Sequence, residues 1–220
     1  MGSYDSIVDS RFEIRGLLGH GGCGVVHEAF DRHTSRPVAL KVLAEGATDP
    51  SAMARLLREA RVVTAINHPN VCPIIASGVL DDGRHFLATE LLRGETLRDY
   101  LHRQGALSPE EAIEIGVQIL SGLEAAHSVG VVHRDVKPEN VFVTWPDQGG
   151  AALIRLLDFG LCRRGGHDLD EKTLTIAGFI VGTPGYLAPE QVRGDRAIDP
   201  SVDLFAVGII LFEALTGRRA

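Results

Sequence analysis

The sequence predicts an α+β fold in two halves, a five-stranded sheet with one helix followed by a mainly helical half. Three observations predict it. Residues 11–43 alternate with the two-residue period of strands. From Ile113 onward apolar residues recur at helical spacing behind a capping sequence. Leu92 to Gly94, bounded by glycine, lies where the first pattern gives way to the second and reads as a hinge.

Taken in order, the alternation over 11–43 is broken by the glycine cluster LGHGGCG at 18–24 and resumes in VVHEAF, giving strand, glycine turn and strand. RPVALKVL supplies a third strand. Asp49-Pro50-Ser51 starts a helix whose apolar face is Met53, Leu56, Leu57, Ala60 and Val63. HPNVCPIIASGVL and RHFLATELL read as two further strands around the turn DDG. In the second half, Ser108-Pro109-Glu110-Glu111 offers an N-cap, a proline at N1 and a glutamate at N3, and Ile113, Val117, Leu120 and Leu123 form the expected face. Short strands VVH, NVFV and LIRLL then alternate with turns, a polar stretch covers 163–172, and a buried helix covers about 201–216.

The composition fits a globular chain. Of 220 residues, 45% are hydrophobic and 23% charged, which excludes a disordered or fibrous protein. The net charge of −7, with no basic stripe, argues against nucleic-acid binding. Cys23, Cys72 and Cys162 are far apart and odd in number, so neither a disulfide framework nor a zinc knuckle is expected. The N-terminus has no basic region before an apolar core, and the run Val202 to Leu215 is too short, with Asp203 and Glu213 inside it, to cross a bilayer. With no membrane segment within these residues, a cytoplasmic location is expected, or the cytoplasmic face of a membrane if a transmembrane segment follows residue 220.

The glycines read G-x-G-x-x-G-x-V, with Gly19, Gly21, Gly24 and Val26. A dinucleotide site needs a helix directly after such glycines, whereas VVHEAF continues as strand. Two readings stay open: a plain hairpin turn, or a hairpin whose backbone N–H groups approach phosphate oxygens without a Cβ in the way. Lys41 ends the apolar strand VALK, a costly place for an ammonium without anions, and Glu59, 18 residues on, is its candidate partner. VVHRDVKPENVFV sets His133, Arg134, Asp135, Lys137 and Asn140 between apolar flanks, and LLDFG sets Asp158 at the end of another. Two aspartates, an asparagine and a lysine in an apolar frame suit a hard cation and an anionic substrate.

These segments, GHGGCGVV, VALK, Glu59, HRDVKPEN, DFG and LAPE, resemble in order the motifs of the eukaryotic-like serine/threonine protein kinases found in bacteria. The resemblance covers 11–220 and implies a protein-kinase-like bilobal fold, with an N-lobe at 11–91 and a C-lobe at 92–220 that is truncated after the Asp203 helix. It implies ATP and Mg²⁺, with Mn²⁺ as a substitute. Gly19, Gly21 and Gly24 would cover the phosphates, Leu18 would join them in the nucleotide site, Val26 and Ala39 would roof the adenine, and Lys41 paired with Glu59 would hold the α/β-phosphates. Backbone groups of Glu90 and Leu92 would meet the adenine edge, with Thr89 as gatekeeper. Asn140 and Asp158 would hold the metals, Asp135 would take the substrate hydroxyl proton, and Lys137 would steady the γ-phosphate. Thr183 would bond Asp135 and Lys137, and Asp203 would anchor the HRD loop.

Lys137 and GTPGYLAPE are similar to the Ser/Thr branch, so the implied partners are protein substrates and, in trans, the chain itself. Arg134 before the base marks control by activation-loop phosphorylation, with Thr173 and Thr175 as candidates. Glu95 and Glu139 suggest a taste for basic peptides. Cys23 departs from the family's aromatic loop tip, and TWPDQGGAA lengthens one hairpin. The family's later C-lobe helices, with the arginine that pairs with Glu190, do not follow LTGRRA, so poor stability is expected of these 220 residues. The rival expectations are a catalytically inactive nucleotide-binding scaffold and, more weakly, a small-molecule kinase.

Overall fold

A computed structural model describes residues 10–21, 24–43, 62–146, 149–159, 184–195 and 198–219. These form two compact units, one from residues up to Ala65 with Cys72–Leu92, the other from Ile66–Val71 with Arg93 onward. Residues 66–71, which the sequence pattern places in the first half, therefore belong to the second unit.

The first unit contains β1 (Phe12–Gly21), β2 (Gly24–Asp31), β3 (Arg36–Leu43), β4 (Ile74–Val79) and β5 (His85–Glu90). They make one antiparallel sheet in the order β1-β2-β3-β5-β4. Because side chains alternate along a strand, Val38, Leu40 and Val42 of β3 all face the core, packed with Phe12, Ala29, Leu80, Phe86 and Ala88. Phe12 and Phe86 meet edge to face at 4.9 Å. Burying each large side chain here is worth about 1.5–3 kcal/mol.

The opposite face follows from the same register. Lys41 is opposite Val26 on β2 and Leu87 on β5, Ala39 is opposite Thr89, and Val26 is opposite Gly19 on β1. Directly opposed residues share a face, so Gly19, Val26, Ala39, Lys41 and Thr89 lie together on the side away from the core. Two glycines of the cluster do different work. At Gly24, φ is +147° and a Cβ would sit 2.0 Å from the Val42 carbonyl oxygen, so the fold itself requires glycine. At Gly19 a Cβ would meet nothing within 4 Å.

At the other end of this hairpin, Asp31 is fully buried. It accepts from Arg11 Nε at 2.9 Å and Nη2 at 2.7 Å, and from the His33 amide and Thr34 hydroxyl at 3.0 Å each. The Arg11 guanidinium is the main cause that lowers the Asp31 carboxyl to about 2.

The second unit contains α1 (Leu97–Gln104), α2 (Pro109–Ser128), α3 (Pro189–Arg193), α4 (Ser201–Thr216) and a small sheet of β6 (Gly94–Thr96), β7 (Val141–Thr144) and β8 (Leu153–Leu156). The α2 start is as expected, with Pro109 at N1 and Ser108 Oγ accepting from the Glu111 amide at 3.2 Å. Of the expected face only Leu123 is buried. Ala112, Ile115, Gly116, Ile119, Leu123 and Ala126 are buried, while Ile113 and Val117 are 62% and 60% exposed. Small residues set this choice: a Cβ at Gly122 would lie 2.8 Å from Asn70 O, and one at Gly116 2.9 Å from Leu211. Close approach along the glycine face leaves the bulkier residues outside. On α4, Val202, Ala206, Val207, Ile210 and Ala214 are buried, and Leu204, Phe205, Phe212 and Leu215 are exposed.

Residues 131–133 are not a strand, against expectation. The His133 amide donates to the Asp203 carboxylate instead of to a sheet partner, so two apolar valines mark an entry to a loop. NVFV and LIRLL do supply strands, as β7 and β8. No helix among the described residues is long and apolar enough to cross a membrane.

Candidate active site

In the second unit the residues 133–140 fold around two carboxylates. Asp203, 1% exposed, accepts from the His133 amide at 2.8 Å and the Arg134 amide at 2.7 Å, and bonds His127 Nε2 at 2.8 Å. Arg134 has φ +64°, a left-handed conformation unfavourable for a residue with a Cβ. The two Asp203 bonds, with Gln191 Nε2 on the Arg134 carbonyl at 2.9 Å, hold it there.

His133 is fully buried and packs against Phe159 with ring centres 4.6 Å apart and the planes tilted by 40°. Its Nδ1 accepts from the Asp135 amide at 3.4 Å, so Nε2 carries the proton and donates to the Leu157 carbonyl at 2.8 Å. One imidazole thereby joins the HRD loop to the segment carrying Asp158. The Leu157 amide returns to the Asn140 carbonyl at 2.9 Å, and Asp158 itself has φ +51°.

Asp135 is the second carboxylate. Its Oδ2 accepts from Lys137 Nζ at 2.8 Å and Asn140 Nδ2 at 3.0 Å, and the same Nδ2 donates to the Asp135 carbonyl at 2.8 Å. Both contacts fall on one oxygen, and Oδ1 accepts none among the described residues. With both amide hydrogens of Asn140 turned to Asp135, its own Oδ1 is left as an oxygen donor. Asp135, Lys137 and Asn140 are thus brought together as the sequence predicts, by a 3-10 turn at Pro138–Asn140.

In the first unit Val26, Ala39, Lys41 and Thr89 share the sheet face described above, and Leu18 is 51% exposed on β1. The Glu90 amide donates to the Pro73 carbonyl at 3.1 Å, and the Glu90 carbonyl lies 3.8 Å from Cys72 Sγ. Of the other predicted residues, Glu59, Thr173, Thr175 and Thr183, with Cys23, lie outside the described residues.

Sequence reasoning missed a second polar cluster. Arg98 on α1 donates to Glu139 at 2.9 Å, to Glu213 and to the Tyr186 hydroxyl, which in turn donates to Glu213. Burial raises the Tyr186 hydroxyl pKa, and its bond to Glu213 adds to this. Glu95, for its part, is paired with Arg103 at 2.5 Å. The two glutamates whose position suggests tolerance for basic peptides thus each pair with an arginine of this chain, Glu95 with Arg103 and Glu139 with Arg98, which Glu139 shares with Glu213. The available signal was helical spacing: Leu97, Tyr100 and Leu101 form an apolar stripe behind the cap Thr96, which places Arg98 and Arg103 on α1.

Residues 12–220 match the family described as the protein kinase domain. The serine/threonine-protein kinase pkn3 of Myxococcus xanthus is 38% identical over 208 residues, covering 94% of this chain and 38% of the relative. PknL of Mycobacterium bovis is 40% identical over 215 residues, covering 97% of this chain and 51% of the relative. The chain thus spans about half or less of the length of these relatives. The crystal structure of the Mycobacterium tuberculosis PknI kinase domain is similar in fold, with a TM-score of 0.77 at 24% identity, covering 98% of this chain and 78% of that one.

Proposed function

Since the chain belongs to the protein kinase domain family, we propose that it is an ATP-dependent serine/threonine kinase that moves the γ-phosphoryl group of MgATP to protein hydroxyls. The observation that carries this reading is the Asp135 carboxylate, fixed through Oδ2 by Lys137 and Asn140, with no bond to Oδ1 among the described residues. In the reaction Oδ1 takes the proton of a serine or threonine hydroxyl as its oxygen attacks phosphorus. A positioned base of this kind is worth about 10²–10⁴ in rate. Lys137, held beside it, balances charge on the transferred group.

The residues fit a magnesium ion. Asn140 Oδ1 and the Asp158 carboxylate are hard oxygen donors, and Mg²⁺ (or Mn²⁺) is ordinarily held by one or two such groups together with substrate phosphates. No cluster of three or more His, Cys, Asp or Glu able to hold a metal alone occurs among the described residues, in keeping with that division. When bound, Mg²⁺ neutralises charge on the β- and γ-phosphates.

On the first unit, Gly19, Gly21 and Gly24 are assigned to the phosphates, Leu18 to the nucleotide site beside them, Val26 and Ala39 to the adenine, and Lys41, with Glu59, to the α/β-phosphates. The Glu90 amide is engaged with Pro73, and backbone groups of Glu90 and Leu92 are assigned to the adenine edge. Thr183 is assigned to the substrate pocket. Thr173 and Thr175 are assigned to autophosphorylation in trans, read out by Arg134, in a cytoplasmic or cytoplasmic-face setting.

The test is intact mass after incubation with Mg²⁺ and ATP, beside Asp135→Asn prepared identically. Phosphate adducts on the wild type alone, mapping to Thr173 or Thr175, are the expected result. Equal adducts on both proteins, or none on the wild type with a protein substrate supplied, would overturn the assignment.

A further inference from the structure

We infer that Arg98 is a built-in guanidinium that fills an acidic slot beside the Asp135 loop, and that it sets the protein against substrates with basic residues near the phosphoacceptor; this rests on the kinase reading above. Glu139 sits in the 3-10 turn between Lys137 and Asn140, both of which bond Asp135, so its carboxylate belongs to the acceptor loop. Glu213 and Tyr186 approach from α4 and from the 184–186 turn and are buried. Arg98 uses three different nitrogens on these three groups: Nε on Glu139, Nη1 on Glu213 and Nη2 on the Tyr186 hydroxyl. Its guanidinium carbon lies 5.8 Å from the Tyr186 ring centre.

The slot therefore has the planar, forked shape that only a guanidinium satisfies. Among the described residues it holds two carboxylates against one half-buried cation, Arg98, since Arg219 is exposed and reaches Glu139 only at 3.6 Å. Glu139 Oε2 is buried and accepts no hydrogen bond among the described residues, so the slot is not saturated with the donors they supply. Without Arg98, Glu213 would be a buried carboxylate with Tyr186 as its remaining partner, and a substrate arginine would find a preformed anionic site. With Arg98 in place that site is taken, and a basic flank meets a cation. This is selection by exclusion, built from the chain's own side chain.

The experiment compares wild type, Arg98→Ala and Arg98→Lys on peptides that share one acceptor and carry Arg or Ala singly at each flanking position. Wild type is expected to change kcat/KM by less than about threefold at every position, and Arg98→Ala to prefer Arg by about tenfold at one of them. Adding Glu213→Gln should abolish that preference. Arg98→Lys should fall between, because a point charge cannot span both carboxylates and the hydroxyl. An active Arg98→Ala with the wild-type profile overturns the inference. Should Arg98→Ala transfer no phosphate, thermal unfolding in millimolar methylguanidinium decides: a saturable rise in Tm confined to the variant supports the slot, and no rise overturns it. A wild type that phosphorylates no peptide defeats the kinase reading instead, and the methylguanidinium comparison then judges the slot by itself.

Discussion

In the first unit, Val26, Ala39, Lys41 and Thr89 share a face because the backbone register of three strands puts them there. None of them needs its neighbour's side chain for its position. In the second unit, Asp135, Lys137 and Asn140 are held by side-chain hydrogen bonds, and the loop that carries them hangs from one buried carboxylate, Asp203. Register is a property of many backbone bonds and survives the loss of any one side chain. A polar network survives only if all its members are present, because each orphaned buried group costs about 1–3 kcal/mol. The first unit should therefore separate folding from function under mutation, and the second should not.

The strongest attempt to break this contrast is Asp203→Ala. It orphans the buried His133 amide and the Arg134 amide, and removes what holds Arg134 at φ +64°. A loss of about 3–5 kcal/mol is expected in urea unfolding, together with loss of phosphoryl transfer. A variant less than 1 kcal/mol weaker than wild type, with transfer intact, would show that the loop is held by its backbone after all.

The same distinction explains what was legible in the sequence. The five strands and α4 follow from apolar periodicity, which reports the register and the packing that hold the first unit. Polar hydrogen bonds across long separations leave no period. Residues 66–71 look like part of the first half, yet Asn70 Nδ2 donates to Gln118 at 3.0 Å and to the Ile154 carbonyl at 2.8 Å, which ties the segment to the second unit. VVH looks like a strand because its valines are apolar, while the group that receives its backbone lies 70 residues away. The face of α2 was misread for a related reason: large residues dominate a hydrophobic pattern, but the close contacts are made at Gly116 and Gly122. The grouping of Asp135, Lys137 and Asn140 was legible because the three fall within one short motif. Arg98, Tyr186 and Glu213 were not, since three separate elements bring them together.

A smaller effect sharpens the comparison from within the first unit. Asp31 is also a buried carboxylate that gathers donors, but it fastens β1 to the end of β2, away from the functional face. Its carboxyl is lowered from 3.8 to about 2, so its stabilisation is fully present above about pH 4 and is lost as pH falls toward 2. Asp31→Asn should cost about 2 kcal/mol at pH 7 and progressively less below pH 4. Urea unfolding of both proteins across that range checks it. A difference that stays constant down to pH 2 would mean that the charge of Asp31 contributes nothing.

The smallest expected effect on folding is Gly19→Ala. A Cβ there meets nothing within 4 Å, and the residue has no left-handed φ, so neither packing nor backbone conformation calls for glycine. Alanine restricts the unfolded chain more than glycine does, which should leave stability unchanged or raise it by up to about 1 kcal/mol. The cost should appear elsewhere. If the glycine serves the approach of phosphates, the added methyl should weaken MgATP binding severalfold, measurable by titration, in a protein that is no less stable than wild type. A loss of stability above 1 kcal/mol would place Gly19 with Gly24 as a glycine that the hairpin itself requires, and unchanged MgATP affinity would remove Gly19 from the phosphate assignment.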